Sequence, residues 1–232
     1  MTVDEAALQE WLEATRNEPL ETMAGFFDAR IADYEAHMAP WARHYAWMAA
    51  LLPPTVETLL DIGCGSGLEL DPIFARFPDL RVTGIDLSER MLERLRRKHP
   101  DRSLTTICGD YFACDLGACR FDAVVAFETL HHVDAAKKTG LYEKIRRALK
   151  PGGCYLMCDY IAKTQLMEEL ASAECRRRRR RDGIPDDVFV HFDTPLTLEH
   201  ELQTLREAGF RSVELVGFLP GNDHTPMLRA IR

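Results

Sequence analysis

The chain has 232 residues, of which 46% are hydrophobic and 28% are charged, and its formal net charge at pH 7 is −8. This length fits one large domain with decorations, and the acidic balance argues against a nucleic-acid binder, because such proteins usually present a basic face. Residues 1–19 are acidic and broken by charges, unlike a secretory signal, and no apolar run reaches the ~18 residues of a membrane span. We therefore expect a cytoplasmic protein that has no membrane partner.

The seven cysteines are odd in number and scattered along the chain. No C-x-x-C pair is present, so the spacing typical of zinc ligands is missing. We interpret the cysteines as reduced thiols and predict no metal site.

Three helices are predicted before residue 54. Helical spacing of apolar residues covers residues 3–16 and then residues 21–38, where Phe27, Ile31 and Tyr34 share one face. A third helix is expected from Trp41 to Leu52, and two prolines follow it.

From residue 58 onward, short apolar runs alternate with helical segments. Helices are predicted at about residues 69–77, 88–98 and 135–149. The predicted strands are Thr58–Ile62, Arg81–Ile85, Leu104–Cys108, Phe121–Phe127 and Cys154–Tyr160. Strands that are apolar throughout and separated by helices indicate a buried parallel sheet.

The last third of the chain departs from this rhythm. A polar helix is predicted from Thr164 to about Arg181, and Thr197 is expected to cap another helix. The final strands, Val213–Phe218 and Met227–Ile231, are separated by a loop too short for a helical crossover. They should therefore pair antiparallel.

A glycine-rich loop follows the first predicted strand, which ends near Asp61. Gly63, Gly65 and Gly67 allow the backbone to approach a ligand closely. A dinucleotide-binding fingerprint needs a further glycine at the position of Leu68, so the loop argues against an NAD oxidoreductase.

This loop, the helical preface, the five strand–helix units and the final hairpin resemble the class I S-adenosylmethionine-dependent methyltransferases, of the small-molecule type. The resemblance implies an α/β, Rossmann-like fold. It implies a seven-stranded, mostly parallel sheet with an antiparallel last strand, an N-terminal helical cover and a helical lid insertion after strand five. The chain then divides into a cover (1–53), a cofactor-binding core (54–162), an insertion or lid (163–194) and a segment that completes the sheet (195–232).

The resemblance also implies S-adenosylmethionine as cofactor and a set of residues that bind it. Asp61 would orient the loop, Asp86 would accept the ribose hydroxyls, and Asp110 would accept from the adenine amino group. The predicted cofactor-binding residues are Arg30, Tyr34, Asp61, Gly63, Cys64, Gly65, Gly67, Asp86, Leu87, Asp110, Tyr111 and Phe127.

Candidate catalytic residues lie in three segments of the sequence. Tyr34 and His37 follow Arg30 at helical spacing and resemble the family's lid, with Tyr34 over the cofactor and Arg30 toward the cofactor's carboxylate. His131 and His132 follow the fourth core strand, in an L-H-H segment found in many relatives. Asp159 ends the fifth strand, where it could act as a base or only as a structural hydrogen-bond acceptor. Each histidine could equally cap or pack.

The acceptor is left open by the sequence. Methyl transfer to a small molecule is favoured, and a homodimer stays open. The alternatives are a non-methylating enzyme that converts adenosylmethionine into a carboxylated derivative, a non-catalytic adenosylmethionine-binding regulatory module, and an RNA methyltransferase that uses Arg176–Arg181. This arginine run is otherwise interpreted as a solvated, mobile helix end.

Overall fold

The computed structural model describes residues 1–232, with nine α-helices, nine β-strands and a 3-10 helix at Ala39–Trp41. The helices are α1 Val3–Ala14, α2 Met23–Arg30, α3 Tyr34–Met38, α4 Ala42–Leu51, α5 Leu70–Arg76, α6 Glu89–Lys98, α7 Ala135–Ala148, α8 Gln165–Asp182 and α9 Leu198–Glu207. The strands are β1 Glu21–Thr22, β2 Thr58–Ile62, β3 Arg81–Asp86, β4 Leu104–Cys108, β5 Phe121–Phe127, β6 Leu149–Cys158, β7 Val190–His191, β8 Ser212–Gly217 and β9 Met227–Ile231.

Seven strands form one sheet in the order β4-β3-β2-β5-β6-β9-β8. Only β9 runs antiparallel to its neighbours, β6 and β8. This arrangement confirms the predicted seven-stranded, mostly parallel sheet. From the central strand β2, the strands β3 and β4 lie on one side and β5 lies on the other. The connections after β2 and before β5 therefore run in opposite directions, and a crevice opens at the carboxyl ends of β2 and β5. Open α/β sheets bind their ligands at such a point.

The central strands are buried on both faces because helices cover each side of the sheet. Leu60 and Val124 belong to the apolar cluster on one face, and Leu59 and Val125 belong to the cluster on the other. Alternate residues of each strand thus enter different cores, which explains why these strands read as unbroken apolar runs.

Residues 21–38 do not form the single helix predicted from their periodicity. They form β1, α2 and α3, and β1 pairs with β7 so that Glu21 lies opposite His191. The Thr22 side chain caps α2 by accepting from Gly25 N at 3.3 Å, and Met23 N donates to Phe189 O at 3.0 Å. Pairing with a segment so distant in sequence overrides the local helical pattern.

The arginine run at the end of α8 fastens the 163–194 segment to α1. Arg178 donates to Thr15 Oγ1 at 2.7 Å, while Arg177 and Arg181 donate to the Arg16 carbonyl at 2.6 and 2.7 Å. The interpretation as a solvated helix end is therefore wrong for Arg178, which is buried, whereas Arg177 and Arg181 remain partly exposed. The guanidinium groups of all three donate hydrogen bonds to oxygen atoms of residues 15 and 16 of the same chain.

A buried ion pair joins two helices on one face of the sheet. Lys138 on α7 and Glu201 on α9 form this fully buried pair, and Tyr142 also donates to Glu201.

None of the helices combines the length and apolar character that crossing a bilayer requires.

Candidate active site

The glycine loop after β2 is held at the crevice by a backbone that only glycine adopts readily. Gly63 and Gly65 have φ values of 70° and 48°. A Cβ atom on Gly63 would lie 2.1 Å from Thr129 Oγ1, and one on Gly65 would lie 3.3 Å from Tyr34 Oη. The loop is thus packed between the segment that follows β5 and the Tyr34 ring.

A narrow cavity lies beside this loop, at the carboxyl ends of β2, β3 and β5. Residues of α2 and of the 163–194 segment close its other side. The cavity is lined by Met23, Ala24, Phe27, Tyr34, Gly63, Gly65, Asp86, Leu87, Ser88, Met91, Tyr111, Phe127, Glu128, Thr129, His132 and Phe189. Seven of the residues predicted to bind the cofactor are among them. We call this space the cofactor cavity.

Asp86 ties the end of β3 to the glycine loop. Its carboxylate accepts from Gly65 N at 2.9 Å and from Ser88 N at 2.8 Å. Burial raises its pKa, and these backbone donors act against that rise. The carboxylate lines the cavity with unused lone pairs, and such a group suits a pair of ligand hydroxyls.

Beneath the loop, the carboxyl groups of Asp61 and Glu69 are buried close to each other. Asp61 is fully buried and neither of its oxygens has a hydrogen-bond partner. Burial, and then the neighbouring Glu69, raises the pKa of Asp61 well above its usual range, and burial raises the pKa of Glu69 to about 8. An ammonium or sulfonium group nearby would offset the negative charge of these carboxylates, so these residues fit the methionine end of S-adenosylmethionine.

A second, more open cavity of about 600 Å³ adjoins the first on the side of α2 and α3. It is lined by Phe26, Phe27, Arg30, Asp33, Tyr34, His37, Met38, Trp41, Glu128, His131, His132, His191 and Asp193. Four residues line both cavities and form the wall between them, namely Phe27, Tyr34, Glu128 and His132. We call the second space the acceptor cavity and these four residues the shared wall.

His131 is oriented by a carboxylate behind it. Its Nδ1 lies 2.5 Å from Asp159 Oδ1, and Asp159 also accepts from Leu130 N at 2.7 Å and from Tyr160 N at 2.9 Å. Although burial opposes the charge, Asp159 raises the pKa of His131 to about 9. Since Asp159 occupies Nδ1, the ring has Nε2 available on the side of the acceptor cavity.

The 163–194 segment adds Asp193 to the two histidines. Asp193 Oδ1 lies 3.1 Å from His132 Nδ1 and 3.7 Å from His131 Nε2. Burial and the neighbouring His131 lower the pKa of His132, and burial lowers that of His191 to about 3. Despite its burial, Asp193 has a pKa below its usual range because of these histidines.

Glu128 is a candidate site residue that the sequence reasoning missed. It has a φ of 46°, in the left-handed region that non-glycine residues rarely adopt, and its Oε1 is buried without a partner. Burial raises its pKa to about 8. Strained, buried and ionisable residues are frequent at functional sites. The signal available in the sequence was its place directly after a strand end.

Five of the twelve predicted cofactor residues do not line the cofactor cavity, and two of these, Arg30 and Asp110, bind other groups. Arg30 lines the acceptor cavity instead, where it makes a bidentate pair with Glu21 at 2.9 and 3.2 Å and lies 3.7 Å from the centre of the Phe26 ring. Asp110 accepts from Phe112 N at 2.8 Å and is not part of the cavity lining. The expected direction of Arg30 is wrong because Glu21, on the paired strand β1, captures its guanidinium.

The remaining predicted residues lie behind or beside the two cavities. Asp61, Cys64 and Gly67 support the loop from behind and do not line the cofactor cavity. His37 lines the acceptor cavity, while Asp159 lines neither cavity and lies behind His131.

Comparison with known proteins agrees with this architecture. Residues 60–155 match a family model described as "Methyltransferase domain". The chain is 27% identical over 206 residues to the sterol 24-C-methyltransferase erg-4 of Neurospora crassa, and the match covers 87% of this chain and 52% of the relative. The chain spans about half or less of the length of the sterol methyltransferases it matches.

Two solved structures share the fold over nearly the whole chain. The apo form of the S-adenosylmethionine-dependent methyltransferase SibL has a TM-score of 0.67 and 20% identity, and the match covers 99% of this chain and 70% of SibL. Human N-acetylserotonin methyltransferase in complex with S-adenosylmethionine has a TM-score of 0.67 and 19% identity, with 98% and 65% covered. Residues 60–155 are thus identified as a methyltransferase domain, and the chain has the fold of the class I methyltransferases, for which S-adenosylmethionine is the methyl donor.

Proposed function

We propose that the protein transfers the methyl group of S-adenosylmethionine to an oxygen of a small molecule held in the acceptor cavity. The observation that supports this most is the shared wall. Phe27, Tyr34, Glu128 and His132 line both cavities, so a donor on one side and an acceptor on the other would meet there. The acceptor cavity has the size of a small-molecule site that is partly open to solvent.

The cofactor supplies an activated methyl group, so the work of the chain is to bind and orient. Asp86 would hold the ribose hydroxyls, and Asp61 and Glu69 would offset the positive charge at the methionine end. Phe27 and Tyr34 would present aromatic faces near the sulfonium, to which such faces are attracted. Met23 and Phe189, which close the cofactor cavity, would exclude water from it.

The acceptor side of the wall favours an oxygen nucleophile. A hydroxyl must lose its proton during transfer, and His131, His132 and Asp193 form a group of polar atoms where that loss can be assisted. His131 is locked by Asp159, so this group is preorganised. The name of human N-acetylserotonin methyltransferase, a structural neighbour, agrees with a small-molecule acceptor.

Transfer to carbon is a second candidate, because the sequence relatives include sterol 24-C-methyltransferases. The ring and thioether groups of Phe26, Phe27, Met38 and Trp41 give one side of the acceptor cavity an apolar character. An RNA acceptor has less support, since Arg177, among others of the arginine run, is engaged within the chain.

A methyl-labelled cofactor decides between these candidates. The protein would be incubated with [¹³C-methyl]S-adenosylmethionine and a panel of small hydroxyl-bearing and alkene-bearing molecules, and the products would be read by carbon NMR. We expect an oxygen-bound methyl signal and stoichiometric S-adenosylhomocysteine. A carbon-bound methyl signal favours the second candidate, and cofactor binding without turnover on any acceptor contradicts the proposal.

A further inference from the structure

We infer that His131, His132 and Asp193 form a binding site for one divalent transition-metal ion at the acceptor cavity. Each residue offers one donor atom, and the three atoms lie within 4.8 Å of one another. Two imidazoles and one carboxylate are a donor set typical of Fe²⁺ and Zn²⁺ sites that keep open positions.

The distances suit ligands around one ion. Asp193 Oδ1 lies 3.1 Å from His132 Nδ1 and 3.7 Å from His131 Nε2. Neighbouring ligands of an ion with bond lengths of about 2.0–2.2 Å are separated by roughly 3 to 4 Å, depending on the coordination angle. Both distances from Asp193 lie in this range, and all three donor atoms lie within 4.8 Å of one another, as ligands of one ion would.

The histidines are prepared as ligands in two different ways. His131 Nδ1 is bound to Asp159, and a carboxylate on the far nitrogen is the usual partner of a metal-binding histidine. His132 Nδ1 is buried and lies 3.1 Å from Asp193 Oδ1, so these two prospective ligand atoms already face each other.

The charges around the cluster favour a cation. Asp159, Asp193 and Glu128 all lie near the His131 ring, with Glu128 Oε2 3.8 Å from its Nδ1. The one arginine of the acceptor cavity, Arg30, is already paired with Glu21. No lysine or arginine of the cavity lining therefore pairs with these carboxylates.

A second group, formed by Glu128, His131 and Asp159, is less suited. It would have to use His131 Nδ1, which already contacts Asp159, whereas Nε2 is available for the first group. Asp159 is thus a positioning residue for the metal site.

The position of the metal site indicates which class of substrate the proposed reaction would use. Its ligands line the acceptor cavity, so open positions on the ion would face the acceptor. An ion there would lower the pKa of an acceptor hydroxyl, and it would favour molecules with two neighbouring oxygen donors, such as α-hydroxy carbonyl compounds. This consequence rests on the proposed function, but the metal site does not.

The test uses Co²⁺ alone, added to the chelator-treated full chain in the absence of acceptor. We expect one Co²⁺ per chain with a visible d–d absorption spectrum. Asp193→Ala and His132→Gln should abolish the spectrum, and Asp159→Asn should weaken Co²⁺ binding about 10- to 100-fold. His37→Gln, which changes a histidine of the same cavity outside the cluster, should leave the titration unchanged.

Thermal unfolding and S-adenosylmethionine affinity of each variant establish that it is folded. A folded wild type without a stoichiometric Co²⁺ spectrum overturns the metal site, and so does a spectrum that persists in Asp193→Ala. Full turnover by the metal-free protein overturns the catalytic consequence and leaves the proposed function intact. A failure of turnover with the ion bound counts against the proposed function and not against the site.

Discussion

The Asp86 carboxylate offers the sharpest test of how the cofactor is held. It accepts two backbone N–H groups, from Gly65 at 2.9 Å and Ser88 at 2.8 Å. If it also accepts both ribose hydroxyls, Asp86→Ala removes two hydrogen bonds to a charged acceptor, each worth about 1.5–3 kcal/mol. The sum of about 3–6 kcal/mol corresponds to a rise of roughly 10²- to 10⁴-fold in Kd.

Isothermal titration calorimetry with S-adenosylmethionine measures this change. The matched control is Asp122→Ala, because Asp122 also accepts two backbone N–H groups, from Thr58 at 2.9 Å and Glu57 at 3.2 Å, but at the other end of the sheet. The control should lower stability and leave cofactor affinity near the wild-type value. An unchanged Kd in a folded Asp86→Ala protein would refute the assignment of the cavity.

Two further predictions concern buried charges. Because the pKa of Glu69 is about 8 in the folded chain, against 4.5 for a glutamate side chain exposed to water, the native state keeps a proton that the unfolded state loses between these values. The free energy of unfolding should therefore fall as pH rises through this window, by at most about 1.4 kcal/mol per pH unit, and Glu69→Gln should flatten that slope in urea unfolding. Equal slopes in both proteins would contradict the burial argument. Lys138→Met leaves the buried Glu201 without its partner and should cost about 3–5 kcal/mol, while the double variant with Glu201→Leu should recover much of that loss in thermal unfolding. A double variant no more stable than Lys138→Met would count against this account.

The cofactor side of the site was largely predictable because its geometry follows from chain order. Parallel strands deliver their carboxyl ends to one edge, so Asp86 and the loop at Gly63 had to lie close together. The antiparallel pairing of β9 likewise followed from the shortness of the loop before it.

The lid could not be predicted in the same way, because its contacts are long-range. Glu21 pairs with His191 across the chain, and this pairing breaks the helical pattern and holds Arg30 away from the cofactor. Helical spacing alone placed Arg30 correctly beside Tyr34 but could not reveal its partner. The direction of the Arg30 side chain depends on its tertiary partner, which the local sequence does not specify.

The residues of the acceptor cavity could be predicted only in part, for the same reason. His131 and His132 were candidates by their position after a strand, but their third companion, Asp193, enters from the 163–194 segment. The unusual backbone of Glu128 is also a tertiary effect, since local sequence does not require a left-handed residue there. Metal-ligand spacing cannot be recognised when the ligands come from separate elements.

A crystal structure of the protein with S-adenosylhomocysteine tests the central claim most directly. The account predicts the ribose on Asp86, the methionine end near the glycine loop, and the sulfur atom at the shared wall, facing the acceptor cavity between Tyr34 and Glu128. A sulfur atom directed away from that cavity, or a ligand bound outside the cofactor cavity, would contradict it.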